Sequence, residues 1–193
     1  MSLIFNNKKF GLSLILVGLM MVIVGFGKYF EESIKVATLT QSNISQFKEY
    51  EILNGEIKYK LPIDWISSEV ENINNGRIYL NEFMSEDASL YGSVELINGS
   101  NGVEYAIEQC ISEIKGMGID KFEKDSFKIN DMEVETIEYD LKLTNNSVKR
   151  AYDYYIPYED NMIKINFMIN DNKARENTNV VFENIVKTFL FEN

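Results

Sequence analysis

The chain has 193 residues, of which 45% are hydrophobic and 25% charged, values typical of a globular protein and not of a disordered one. It contains no histidine and a single cysteine, Cys110, which excludes Ser-His-Asp and Cys-His catalysis, histidine-based zinc sites and any disulfide within the chain. Nineteen basic and thirty acidic residues give a net charge of −11, which would repel a nucleic-acid backbone, so we expect no nucleic-acid partner.

The first predicted element along the chain is a membrane-spanning segment. Residues 10–27 are uncharged, and eighteen helical residues at about 1.5 Å each cover roughly 27 Å, close to the ~30 Å apolar core of a bilayer. Lys8 and Lys9 precede the segment, and basic flanks favour the cytoplasmic side. We therefore predict a cytoplasmic N-terminus at residues 1–9, a single-pass transmembrane anchor at residues 10–30 and an extracytoplasmic C-terminal domain. A cleaved secretory signal is the alternative, because small residues close the apolar stretch.

The remainder of the chain is predicted to be a tether followed by one acidic domain. Residues 31–48 are polar and show no sustained apolar period, so we assign them to the tether and residues 49–193 to the exported domain. Three of the nineteen basic residues and none of the thirty acidic ones precede residue 31, which leaves a net charge of −14 beyond it. Such a charge keeps a tethered domain away from anionic lipid headgroups, and it also fits a surface that binds a cation or a basic partner.

The domain is predicted to open with a β-hairpin. The pair Asn54-Gly55 separates two runs of alternating apolar residues, a pattern typical of a two-residue type I′ turn. Pro62 ends the second strand, and we expect Trp65, three residues later, to be buried against an edge of the core. Alternation then predicts two more strands, at residues 77–83 and 92–97.

An amphipathic helix is predicted next. Apolar residues recur at intervals of three and four from residue 103 to residue 117, and Gly116 and Gly118 are expected to end the helix. Cys110 lies on the apolar side of this helix, so we interpret it as a buried structural thiol and not as a reactive one.

The C-terminal half is predicted to be an antiparallel meander followed by a second helix. The predicted strands are 126–129, 132–143, 148–157 and 162–170, and the helix covers 181–189. In the longest strand the apolar positions change phase between Val134 and Ile137, which predicts a β-bulge near Glu135-Thr136. The predicted fold class is α+β: a three-layer α/β/α sandwich with a central antiparallel sheet flanked by helices, plus the N-terminal transmembrane helix.

Residues 57–65, with the sequence IKYKLPIDW, resemble the opening of PsbP-like domains. The later elements follow in the order of that family: an amphipathic helix, the strand INDMEVETIEYD, an aromatic strand around Tyr154 and a final helix that ends in TFLF. The resemblance spans about residues 49–191 and extends to the membrane-anchored PsbP-like proteins of low-GC Gram-positive bacteria. It implies a central antiparallel sheet with helices on both faces, the fold shared by the PsbP subunit of photosystem II and a Ran-binding nuclear import cofactor. Those relatives bind proteins and are not enzymes.

The acidic residues are the remaining candidates for site chemistry. Without histidine, a pair of carboxylates could act as acid and base, but thirty acidic residues make chance pairs inevitable, so we predict no catalytic residue. Two loops, one with Glu82, Glu86 and Asp87 and one with Glu159, Asp160 and Asn161, could offer oxygen ligands to calcium. Neither loop has EF-hand spacing, so we predict no metal site and no cofactor.

We expect a non-catalytic domain that binds a protein partner or supports a cell-envelope assembly, with the N-terminal segment in the membrane. Candidate partner-binding residues are Tyr155 and Tyr158, which would form an aromatic patch if the edge of the sheet were uncovered. A cation- or small-ligand-binding exported domain is the alternative that the acidic loops leave open.

Overall fold

The computed structural model describes residues 46–71, 76–99, 102–117, 119–129, 131–143, 147–170, 174 and 178–192. The predicted cytoplasmic N-terminus, the membrane segment and all but the last residues of the tether lie outside this part of the chain. The helices in the described ranges all fall short of the length and apolar character that crossing a bilayer requires.

Strands make up most of the described chain. The first half contains β1 (Phe47–Ile52), β2 (Ile57–Pro62), β3 (Ile66–Glu69), β4 (Arg77–Met84), β5 (Leu90–Asn98) and the helix α1 (Val103–Gly116). The second half contains β6 (Asp120–Ile129), β7 (Met132–Lys142), β8 (Val148–Tyr158), β9 (Asn161–Asn170), the helix α2 (Thr178–Val186) and β10 (Leu190–Phe191). Each strand and helix that the sequence pattern predicts overlaps one of these elements, although β6 begins six residues earlier than predicted and α2 lies three residues earlier. Strands β3 and β10 are additional.

The strands form two antiparallel sheets. Their orders are β1-β2-β10 in a three-stranded sheet and β3-β4-β5-β9-β8-β7-β6 in a seven-stranded sheet. The predicted three-layer α/β/α sandwich, with helices alone on both faces of one central sheet, is therefore wrong. The reason lies in β2, which pairs with β10 near the end of the chain, Lys58 opposite Leu190, and so builds a second sheet.

One face of the seven-stranded sheet packs against α2 and the three-stranded sheet. The ring of Phe167 on β9 stacks on Phe182 of α2 with 4.2 Å between centroids, and Tyr59 of β2 stacks on Phe189 at 5.1 Å. All four rings belong to one apolar cluster. Burial of these side chains is the main force that holds the two sheets together.

The opposite face of the seven-stranded sheet packs against α1. Ile107 and Ile114 of the helix are buried in a second cluster with side chains of β7, β8 and β9. Because neighbouring residues of a strand point to opposite faces, β7 contributes to both clusters: Val134 to the first, Ile137 and Tyr139 to the second.

The two local predictions about turns and bulges are wrong in detail. Ile52 pairs with Ile57, so the hairpin connection has four residues and includes a 3-10 turn with positive φ angles at Leu53 and Asn54. The register of β7 runs without interruption through residues 135–136 on both sides, so the predicted bulge is absent. The apolar phase changes there because the two ends of β7 are buried on different faces.

Candidate functional site

The structure separates the two tyrosines that the sequence suggested as a patch. Tyr155 is fully buried, and its hydroxyl donates a hydrogen bond of 3.0 Å to Asp153 Oδ2. Tyr158 lies three residues further along β8, on the opposite face, where its ring stacks on Phe191 at 5.5 Å and its hydroxyl donates to Glu56 at 3.5 Å. The two side chains therefore do not form one surface.

Apolar side chains are exposed where the seven-stranded sheet extends beyond α1. The register places Ile66, Met84, Tyr91 and Met168 opposite one another on β3, β4, β5 and β9. Ile66 is 57% exposed and Tyr91 42% exposed, and the two methionines are partly buried. We call these four residues the open row. It continues into Ala151 of β8, which is buried in the cluster under α1, so the row leads from the sheet edge to the helix.

A polar row lies beside the open row on the same face. Glu82, Ser93, Asn166 and Asp153 are successive register partners on β4, β5, β9 and β8. Glu82 is exposed, whereas Asp153 is completely buried, so this row runs from solvent into the interior. The open row thus has a carboxylate next to it at its exposed end.

Asp153 is the centre of a buried hydrogen-bond network. Its Oδ2 accepts the bond from Tyr155, its Oδ1 accepts one from Asn166 Nδ2, and Tyr139 also hydrogen-bonds with the carboxylate. Lys164 Nζ lies 3.5 Å from Oδ2. A buried carboxylate is strongly destabilising unless it is paired and hydrogen-bonded, and Asp153 has both kinds of partner.

The network keeps Lys164 charged and its tyrosines neutral. Burial has the largest single effect on Lys164 and disfavours its ammonium form, but Asp153, Cys110 and Glu95 together favour that form more strongly, so the pKa of Lys164 is raised. Burial, and then the charge of Asp153, raise the pKa values of Tyr139 and Tyr155. Both hydroxyls therefore remain hydrogen-bond donors across the physiological pH range.

A second buried carboxylate lies on the other side of Lys164. Glu95 of β5 is the register partner of Lys164, and it is only 7% exposed. Its carboxylate accepts hydrogen bonds from Arg77 Nε and, at 3.1 Å, from Ser93 Oγ. Burial raises the pKa of the Cys110 thiol on α1, and the positive charge of Lys164 opposes this with a smaller effect.

The single thiol beside this network is held in its unreactive form. The raised pKa of Cys110 keeps its thiol protonated, and thiolate is the nucleophilic form. In the described ranges, no three acidic or cysteine side chains lie close enough together to hold a metal ion. In the acidic loop that contains Glu86, the carboxylate of Asp87 binds side chains of the loop itself. It accepts hydrogen bonds from the hydroxyls of Ser85 and Ser89 at 2.8 and 2.7 Å.

Sequence reasoning missed both the open row and the buried network. Strand β3, which contains Ile66, has only four residues, and these are too few positions to show alternation. The signal for the network was present: Asp153 interrupts a run of aromatic and aliphatic residues in β8, and Lys164 and Asn166 do the same in β9. Charged residues inside strands that are otherwise apolar are rarely buried without partners.

Comparison with solved structures identifies the fold. The solution structure of cyanobacterial PsbP (CyanoP) from Synechocystis sp. PCC 6803 superposes with a TM-score of 0.56 at 13% identity, covering 77% of this chain and 94% of that one. A crystal structure from Bacteroides thetaiotaomicron VPI-5482 gives a TM-score of 0.54 at 13% identity over 77% of this chain, which spans only 50% of that protein. The chain therefore has a PsbP-like fold, as its sequence resemblance implied. No family model matches the sequence, and no curated protein matches it either.

Proposed function

We propose that this chain is a non-catalytic binding domain, exported and held at the cell membrane through residues 10–30, which docks a protein partner of the cell envelope on the open row. The observation that carries the proposal is the exposure of Ile66 and Tyr91 beside the half-buried Met84 and Met168. Adjacent exposed apolar side chains with a polar border are typical of protein interaction sites. The membrane location is supported by the uncharged residues 10–27.

The charge of the chain favours a basic partner. The net charge is −11, and Glu82 lies exposed in the row next to Tyr91. The ring of Tyr91 already has the Lys149 ammonium 5.1 Å from its centroid, so this ring lies in a position where a cation can approach its face. A partner that presents a lysine or arginine beside an apolar side chain would match both features.

Site-specific photo-crosslinking tests the proposal. A benzophenone amino acid replaces Tyr91 in one variant and Tyr105, a 50% exposed tyrosine of α1, in a matched control. Both variants are expressed in the source organism, and isolated membranes are irradiated at low and high salt. We expect one discrete protein adduct at position 91 that weakens at high salt, and no such adduct at position 105.

A third variant tests the charge preference. Replacing Glu82 by lysine leaves the apolar residues of the open row in place and reverses the charge beside them, so adduct formation at position 91 should fall several-fold. Equal adducts at positions 91 and 105, or an adduct that Glu82→Lys does not weaken, would contradict docking of a basic partner on the open row.

The membrane location is tested separately. A reporter that is active only outside the cytoplasm, fused after Asn193, should be active, and the fusion should remain in the membrane fraction after a high-salt wash. A cytoplasmic fusion would exclude the proposed location. The crosslinking result would then still test the docking of a basic partner on the open row.

A further inference from the structure

The strongest unexplained feature of the molecule is the lysine and aspartate pair in the centre of the seven-stranded sheet. Lys164 Nζ and Asp153 Oδ2 are 3.5 Å apart, the Asp153 side chain is fully buried, and the Lys164 side chain keeps only 19% of its surface. The two residues lie on adjacent strands two positions out of register, since Asp153 is opposite Asn166 and Lys164 is opposite Tyr155. The lysine stem must therefore reach diagonally across the strands to bring its amine to the carboxyl group.

We propose that Lys164 and Asp153 join in the folded protein through an intramolecular isopeptide bond between Nζ and Cγ, with loss of one water molecule. In the ion pair, the ammonium has three protons and the carboxylate none. One proton passes from Nζ to Oδ2, and the neutral amine attacks Cγ. A second proton then moves from the nitrogen to the same oxygen, which leaves as water, and the amide retains the third proton. No oxidant, metal or other reactant is needed.

The surroundings of the pair provide what this condensation requires. Asn166 Nδ2 donates to Oδ1, the oxygen on which negative charge develops during attack, and the Tyr155 hydroxyl donates to the departing Oδ2. Around them lie the apolar side chains that α1 buries, among them Ile137 and Met162. A site that excludes water weakens the competing hydrolysis.

Fixed geometry supplies the driving force. Amide formation from a separate amine and acid is unfavourable in water, but groups held in contact by a rigid scaffold reach effective molarities of about 10⁵–10⁸ M. β8 and β9 are paired along ten register positions, from Lys149–Asn170 to Tyr158–Asn161, so both groups are held on a rigid part of the sheet. The bond would cross-link these strands in a chain whose single cysteine cannot form an internal disulfide.

Mass spectrometry of the full chain tests the bond directly. The purified protein is incubated folded at neutral pH, unfolded and digested with trypsin. An isopeptide prevents cleavage after Lys164, so we expect most of the material as a peptide of residues 151–173 that is 18 Da lighter than its sequence, with fragment ions that place the link between Asp153 and Lys164. The separate peptide of residues 151–164 at full mass would overturn the proposal.

The Lys164→Arg variant is the matched control. It keeps a positive charge beside Asp153 but has no amine able to form the amide, so the 18 Da loss should disappear. A loss of 18 Da that persists in this variant, or that hydroxylamine removes, would identify a succinimide at Asp153 and overturn the proposal. A loss of 17 Da with the link at Asn166 would also overturn it. The wild-type digest decides the question even if the variant does not fold.

Discussion

The rings of Phe167 and Phe182 stack with 4.2 Å between their centroids and 4° between their planes. Phe167 lies on a central strand of the larger sheet and Phe182 on α2, and both side chains are buried. Tyr152 and Tyr154 approach this pair edge-on, at 5.2 Å from Phe182 and 5.9 Å from Phe167. This aromatic group attaches α2 to the sheet, and the helix in turn positions the end of the chain for pairing with β2.

Truncation of Phe182 should therefore be strongly destabilising. Phe182→Ala removes a fully buried ring, and we expect a loss of about 3–5 kcal/mol in the free energy of unfolding. Chemical denaturation of the full chain in mild detergent measures it. The control is Tyr105→Ala on α1, where a half-exposed ring is removed and the change should be within about 0.5 kcal/mol. Comparable losses in the two variants would show that α2 is not fixed by this stack.

A second prediction concerns Gly92 on β5. A Cβ added there would lie 2.2 Å from the Asn166 carbonyl oxygen and 2.5 Å from the ring of Phe83. Trp65 stacks on that same Phe83 ring at 5.3 Å, so the ring cannot move aside freely. We expect Gly92→Ala to lower the free energy of unfolding by several kcal/mol, at or beyond the ~1–3 kcal/mol usual for overpacking.

The matched control for Gly92 is the last residue of α1. A Cβ at Gly116 would meet nothing within 4 Å, and alanine is a better helix former than glycine. Gly116→Ala should therefore leave the protein equally stable or make it more stable, by up to about 1 kcal/mol. A melting temperature that falls equally in both variants would contradict the steric explanation.

The longer strands could be predicted because alternation is a local property. β7 shows the limit of that reasoning. Its apolar residues change phase because Val134 is buried by α2 and the smaller sheet, while Ile137 and Tyr139 are buried by α1. One strand buried on different faces at its two ends gives the same sequence pattern as a bulge, and only the placement of distant elements distinguishes the two.

Local sequence patterns could not predict the second sheet or the candidate site for the same reason. The sheet depends on pairing between Lys58 and Leu190, which are 132 positions apart. The open row depends on how far α1 extends across the sheet: Tyr91 is exposed because the helix does not reach it, whereas Tyr155 is buried because the helix does. Both are aromatic residues in strands, and the sequence alone does not show which of them is buried.

A third prediction concerns the reactivity of Cys110. Burial raises the pKa of its thiol and the side chain is partly covered, so the folded protein should react slowly with a disulfide reagent at pH 8. We expect the rate to increase about tenfold or more in denaturant. The control is Met117→Cys in a Cys110→Ser background: position 117 follows α1, is 61% exposed and should react fast in the folded state. Equal rates for the two thiols would contradict a structural role for Cys110.

The last prediction is a loss of stability at alkaline pH through Tyr59. Burial raises the pKa of its hydroxyl from 10.0 to about 12, despite hydrogen bonds with Tyr79 and Asn81 that act in the opposite direction. The unfolded chain therefore releases this proton at lower pH than the folded one. This difference in pKa contributes to the free energy of unfolding. The contribution is fully present below pH 10 and is lost as the pH rises from 10 to 12, by about 3 kcal/mol at most.

Tyr59→Phe tests this dependence, because it keeps the stack on Phe189 and removes the titrating hydroxyl. Near neutral pH the variant should be less stable by about 1–3 kcal/mol, since Asn81 Nδ2 loses its acceptor. Between pH 9.5 and 11, however, its free energy of unfolding should fall less steeply than that of the wild type. Ile57→Val, in the same strand, is the control: it loses about 0.5–1.5 kcal/mol at every pH and keeps the wild-type slope. If the slopes of the wild type and Tyr59→Phe coincide, then Tyr59 does not ionise on unfolding in this range, and the alkaline loss belongs to other buried tyrosines.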